Sequence, residues 1–165
     1  MRFLLVFTCL AAVGCARPAA PSAPPPAAPA ITQLLDDWHD AASKADEERY
    51  FGHFANGAVF MGTDATERWT LPQFRAYAHP HFAKGKAWSF RAIRRDISFV
   101  GDVAWFDEDL DTPNLGPARG SGVLVREPGP RDEGTWKIAH YNLSITVPNE
   151  RMKEVKALIA TPPAP

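Results

Sequence analysis

Apolar residues recur along most of this chain with a spacing that changes once. Ile31, Leu34, Leu35, Trp38, Ala41 and Ala42 repeat at helical intervals and predict an amphipathic helix that buries this stripe. Asp46 is placed to cap a second, short helix. Glu47 and Glu48 fall in its first turn, where the helix dipole favours acids, and Tyr50, Phe51 and Phe54 are available to pack. Asn56-Gly57 marks a turn, followed by a short strand over 58–61. Thr70-Leu-Pro-Gln73 is a capping-box pattern with proline in the first turn, so a third helix is expected there. Its inner face would carry Phe74, Tyr77, Ala78, His81 and Phe82, with Pro80 making its end irregular.

From Ala87 the period becomes two. Strands are expected over about 88–100, 102–111, 119–126 and 135–147, with Gly101-Asp102 as a tight hairpin between the first two. Asn149, following Pro148, caps a last helix carrying Met152, Val155, Leu158 and Ile159. Helices first and antiparallel strands afterwards is an α+β plan. The expected architecture is a cone-shaped, curved antiparallel sheet packed on about three N-terminal helices, with a short C-terminal helix, in one domain over residues 31–160.

The N-terminal pattern is of another kind. Arg2 precedes the apolar run 3–13, which ends in the small residues Ala11-Ala12-Val13-Gly14 directly before Cys15. This is the layout of a signal peptide over residues 1–14, with a core too short to span ~30 Å of hydrocarbon. The Gly14-Cys15 exit resembles a bacterial lipoprotein signal, in which Cys15 is acylated and becomes the new N-terminus. Ala12 stands where such signals most often carry Leu. Residues 16–30 hold six prolines and read as a semi-rigid tether of roughly 45 Å. Ala16 after the cysteine resembles outer-membrane sorting. The expected address is the cell envelope, with the head exported and lipid-anchored, on the periplasmic face of the outer membrane in a host that has one.

Composition narrows the partners. A net charge of −1 offers no basic stripe for nucleic acid. Cys9 lies within the signal, so Cys15 would be the only cysteine of the processed chain, and the fold must rest on its own core. His79-Pro-His81 lacks a third ligand nearby and no metal-binding pattern is present, so neither metal nor other cofactor is expected. Five Trp and ten Phe are enough to build a core and to line an apolar pocket as well.

Strict alternation on the last strand puts Trp136, Ile138, His140, Asn142 and Ser144 on one face and Lys137, Ala139, Tyr141, Leu143 and Ile145 on the other. A His, an Asn and a Ser converging on one face suit recognition of a carbonyl or hydroxyl, and His140 is a candidate general base. On the strand 102–111, Trp105, Asp107 and Asp109 point one way, and Phe106, Glu108 and Leu110 the other. Asp107, and more weakly Glu108, is a candidate proton shuttle if an aromatic cone raises its pKa. Arg119, before Gly120-Ser-Gly122, would clamp an anion at a pocket rim or pair with an Asp of the neighbouring strand. Trp69, Phe74, Tyr77 and Phe82 would form an aromatic lid or simply core.

The order of elements, with Gly101-Asp-Val-Ala-Trp-Phe-Asp107, Arg119-Gly-Ser-Gly-Val-Leu124 and Trp136 through Asn149, resembles the SnoaL-like branch of the nuclear-transport-factor-2-like superfamily. The resemblance covers about residues 31–150. Many such relatives carry Trp-x-x-x-His-x-His-x-Ser on the last strand, facing the cone. His140 and Ser144 match, whereas Asn142 replaces the second His and removes one titratable group. The superfamily holds ketosteroid-isomerase-like enzymes, polyketide cyclases and dehydratases beside non-catalytic binding and assembly modules, so the fold does not fix the activity. The reading that follows is a membrane-tethered domain whose pocket takes a largely apolar small molecule with a polar group. Asn142, Ser144, Tyr141, Arg119, Trp69, Tyr77 and Trp105 would contact it, and the outer face of the sheet would form a homodimer. The rivals are a proton-shuttling isomerase, cyclase or dehydratase using His140 or Asp107, and a homodimeric assembly module.

Overall fold

The computed structural model describes residues 27–128 and 134–160. The expected signal peptide, Cys15 and the tether up to residue 26 lie outside them. Helix α1 (Ala27–Ser43) begins four residues ahead of its apolar stripe. Ala28 and Ala30 are strong helix formers, and Pro29 falls in the first turn, where no intrahelical N–H is required. Helix α2 (Glu47–Gly52) is capped by Asp46, whose carboxylate accepts from the Arg49 amide at 3.2 Å. Strands β1 (Phe54–Met61) and β2 (Arg68–Thr70) lead into α3 (Leu71–Ala83), and the Gln73 side chain accepts from the Thr70 amide at 2.9 Å. Pro80 sits inside α3 without ending it.

Strands β3 (Arg91–Val100), β4 (Val103–Asp111), β5 (Ala118–Glu127) and β6 (Thr135–Ile145) complete a sheet of order β2-β1-β6-β5-β4-β3. Every pairing is antiparallel except β1 with β6, which is parallel. The chain is α+β, a curved sheet covered on its concave face by α1, α2 and α3. Ile31, Leu35, Trp38, Ala41 and Ala42 of α1 are buried as their spacing predicts, against Tyr50, Phe51, Phe74 and Phe82 and the sheet residues Phe106, Leu124, Ile138 and Tyr141. Each large side chain so buried contributes about 1.5–3 kcal/mol, more than any exposed ion pair of the surface. After β6 comes a single 3-10 turn (Asn149–Arg151) and then α4 (Met152–Ala160), which leaves Leu158 and Ile159 exposed.

The last strand departs from strict alternation. His140 pairs with Val123 and Ile138 with Leu124, so Ala139 is an extra residue in β6. Such a bulge reverses the facing of all that follows. Trp136 and Ile138 point into the core before it, Tyr141 and Leu143 after it. The expectation that His140, Asn142 and Ser144 share a face with Trp136 and Ile138 is therefore corrected: they lie on the opposite, convex face.

Candidate functional site

A cavity of about 220 Å³ opens between β1, β2, α3 and the segments 88–90 and 112–115. Its walls are aromatic, from Phe60, Trp69, Phe74, Tyr77, Trp88 and Phe90, with Leu143 of β6 among them. The Thr70 capping box starts α3 directly after β2 and so sets Trp69 beside the helix. Trp69 stacks on Tyr77 with ring centroids 4.5 Å apart, and Phe60 on Phe74 at 3.8 Å. Tyr77 is half exposed at the opening. The polar lining comes from Thr63, Glu67, His81, Thr112 and Asn114.

Glu67 reaches this cavity because of a tight turn. The Gly62 amide donates to the Glu67 carbonyl at 2.9 Å, and the Glu67 amide to the Asp64 carbonyl at 3.0 Å. The carboxylate folds back over Gly62, where a Cβ would lie 2.1 Å from Oε2. Oε2 accepts from the Asp64 amide at 3.1 Å. Among the described residues Glu67 has no cationic partner.

Deeper in the cone lies a second polar centre. Glu108 of β4 is 0 % exposed; His39 Nε2 lies 2.7 Å from its Oε1, and Arg95 Nε donates to its Oε2 at 2.8 Å. Arg95 Nη2 also stands 2.8 Å from that oxygen, but without hydrogen-bond geometry. Burial pushes the Glu108 carboxyl up, yet the His39 hydrogen bond and the charges of His39 and Arg95 outweigh it, and the net direction is down. The Tyr141 hydroxyl lies over Gly120, where a Cβ would meet it at 2.3 Å and Glu108 Oε1 at 3.0 Å. Burial, then the negative charge of Glu108, holds this phenol well above its ordinary range. The Tyr141 hydroxyl is buried without a hydrogen bond among the described residues. The Phe60 ring of the cavity wall lies 5.4 Å from that of Tyr141, and none of His39, Arg95, Glu108 and Tyr141 lines the cavity.

The candidates singled out in the sequence divide between the two faces. Trp69, Phe74 and Tyr77 line the cavity, and Phe82, Glu108 and Tyr141 are in the core. The other six form a patch on the convex face. Cross-strand pairing aligns Trp105, Val123 and His140 in one row, Asp107, Ser121 and Asn142 in the next, and Asp109, Arg119 and Ser144 in a third. Arg119 Nε stands 3.4 Å from Asp109 Oδ1. Arg94 bridges Asp109 and Asp107 at 3.0 Å each. Asp107 is thus a surface ion-pair partner, and neither it nor His140 lines the cavity.

Sequence reasoning missed His39, Arg95, Glu67, His81, Thr112 and Asn114 as site residues. A signal existed for two members of the inner centre. Alternation sets Glu108 with Phe106 and Leu110 on the core side, and His39 follows Trp38 on the buried stripe of α1. For Glu67 and the 112–115 segment no periodic signal exists, because they sit in turns whose geometry arises only on folding. Among the described residues no group of His, Cys, Asp and Glu is arranged to hold a metal ion.

The SnoaL-like domain family matches residues 31–148. Among solved structures, an NTF2-like protein of unknown function from Pseudomonas putida KT2440 superimposes with a TM-score of 0.61 at 16% identity, covering 75% of this chain and 89% of that one. A protein from Parabacteroides distasonis ATCC 8503, named provisionally as a ketosteroid isomerase, gives 0.53 at 19% identity, over 72% and 86% of the two chains. A protein from Exiguobacterium sibiricum 255-15, named provisionally as a calcium/calmodulin-dependent kinase II association domain, gives 0.57 at 13% identity, over 78% and 100%. A search of the curated proteins finds no match. At these identities the structures speak for the fold alone, and their names differ. With the family match spanning most of its length and the cone built as described, the chain belongs to the SnoaL-like domain family, within the NTF2-like fold.

Proposed function

We propose that this chain is an exported, lipid-anchored SnoaL-like domain that binds a small, largely apolar molecule carrying a polar group, in the cavity between β1, β2 and α3. The observation that carries the reading is the wall of that cavity: six aromatic rings with a few polar groups, the composition expected of a small-molecule site. At about 220 Å³ it is smaller than the ~300–1,000 Å³ of drug-sized sites, which favours a ligand of one or two rings. Binding without turnover is favoured because Glu108 is already held by His39 and Arg95 and does not line the cavity. The anchor rests on the residue pattern ending at Cys15. The convex patch, with rows of opposite charges beside half-exposed Trp105, suits a homodimer contact.

Native mass spectrometry of the protein released gently from its host, beside the same sample denatured, tests the binding reading. A mass excess that vanishes on denaturation, and that is missing from Leu143→Trp, is the expected result. An excess retained unchanged by Leu143→Trp would place the ligand elsewhere. The same denatured mass reads the state of Cys15: an N-terminal Cys15 carrying two or more acyl chains is expected, and an unmodified cleaved or uncleaved chain contradicts the anchor.

A second reading has one observation in its favour. The unpartnered Tyr141 hydroxyl beside buried Glu108 is an acid–base arrangement, which a proton-shuttling isomerase, cyclase or dehydratase would use. Under it, Glu108→Gln abolishes turnover while retaining ligand. Under the binding reading no turnover exists to lose.

A further inference from the structure

Glu67 gives the cavity a chemical preference that its apolar walls alone would lack. Glu67 lines the space, its carboxylate is held over Gly62 by the 62–67 turn, and it has no cationic partner among the described residues. Elsewhere in this fold acids stand against basic groups, as Asp37 and Asp40 with Arg49, Glu47 with Arg75 and His79, and Glu108 with Arg95. The same cavity is lined by the rings of Trp69, Tyr77 and Trp88, and aromatic π faces carry partial negative charge. A carboxylate and several aromatic rings lining one space too small for a large ligand is the chemistry that recognises an organic ammonium. The other titratable group on the lining is His81, which stands against Tyr77 and Trp88 at 5.6 and 6.3 Å between ring centroids. Thr112 and Asn114, across the cavity, offer hydrogen bonds to a polar tail.

We infer that the ligand of this cavity is a small organic cation, a tertiary or quaternary amine with an apolar body, whose charge lies between the Glu67 carboxylate and the rings of Trp69, Tyr77 and Trp88. The inference rests on the binding reading above and goes beyond it by assigning the sign of the ligand's charge. Gly62 is part of the device, since any side chain there would collide with the carboxylate and drive it from the lining.

A matched pair of probes separates the two claims. Benzyltrimethylammonium and neopentylbenzene have the same shape and differ by one positive charge. Their affinities for the full-length chain are measured by quenching of tryptophan fluorescence, with Glu67→Gln and the conservative Glu67→Asp alongside. The expected result is that the cation binds about tenfold or more tighter than the neutral isostere. Glu67→Gln should erase most of that preference without weakening the neutral probe, and Glu67→Asp should restore part of it. Equal affinity of the wild-type chain for both probes overturns the charge assignment and leaves the binding reading standing. Failure of both probes to bind overturns both. The wild-type comparison decides the matter even if a variant fails to fold.

Discussion

Two glycines of β5 show how single residues shape the interior. A Cβ on Gly122 would stand 2.5 Å from the His140 carbonyl oxygen and 2.7 Å from the Phe106 ring, and one on Gly120 would strike the Tyr141 hydroxyl. The aromatic side chains of β4 and β6 lean over β5 because it offers no side chain at these points. Gly122→Ala should therefore destabilise the fold by about 1–3 kcal/mol in a urea titration. Gly52→Ala, with nothing within 4 Å of the added carbon, should stay within about 0.5 kcal/mol of wild type. Equal effects would mean that the glycines are incidental. Titration adds a second residue-level expectation. Burial pushes the His53 imidazole below its ordinary 6.5, and the Asp37 hydrogen bond at 2.8 Å opposes but does not cancel this. The unfolded chain then takes up that proton first, so stability falls as pH drops through 6.5 and levels off below the folded value. Glu108, net depressed from 4.5, makes its contribution above 4.5 and loses it as pH falls through its lower folded value. Both slopes have the same sign. Urea midpoints should fall from about pH 7.5 to about pH 5, with His53→Gln flattening the upper part of that range. A midpoint that rises on acidification would refute the assignment.

At the level of elements, the pattern of the chain was legible wherever periodicity alone decides. The buried stripe of α1, the Asp46 and Thr70 starts of α2 and α3, and the four strands of the meander all follow from spacing and cap chemistry. The candidate site was legible only in part: Trp69, Phe74 and Tyr77 line the cavity, Glu67 and the 112–115 segment sit in turns without a periodic signal, and the facing of the last strand depends on one extra residue. Ala139 lies between segments that each alternate faithfully, and nothing in Ile138-Ala-His-Tyr141 marks which residue bulges. The bulge moved His140, Asn142 and Ser144 outward and brought Tyr141 to Glu108. Deletion of Ala139 offers a direct test. It removes the extra residue and leaves Tyr141 and Leu143 facing inward, so the chain should still fold cooperatively. Deletion of Asn142 would turn Leu143 outward and bring Ser144 in, and should lower the melting temperature much further or abolish the transition. The reverse order of stabilities would contradict the assigned register.

For the whole molecule, the sheet separates two surfaces of unlike character. The concave side carries the aromatic cavity and, behind its wall, the His39–Glu108–Arg95 centre; the convex side carries the patch around Trp105, Asp107 and His140. The proposed reading assigns ligand binding to the first and a homodimer contact to the second. The five tryptophans are distributed so that they report on this division: Trp69 and Trp88 line the cavity, Trp38 and Trp136 are buried in the core, and Trp105 is exposed on the convex face. The most direct test follows their indole N–H signals by two-dimensional NMR while benzyltrimethylammonium is added. The cavity predicts that the Trp69 and Trp88 signals move in a saturable way while Trp105 stays in place. Movement of Trp105 with Trp69 and Trp88 unchanged would put the site on the convex face and contradict the assignment.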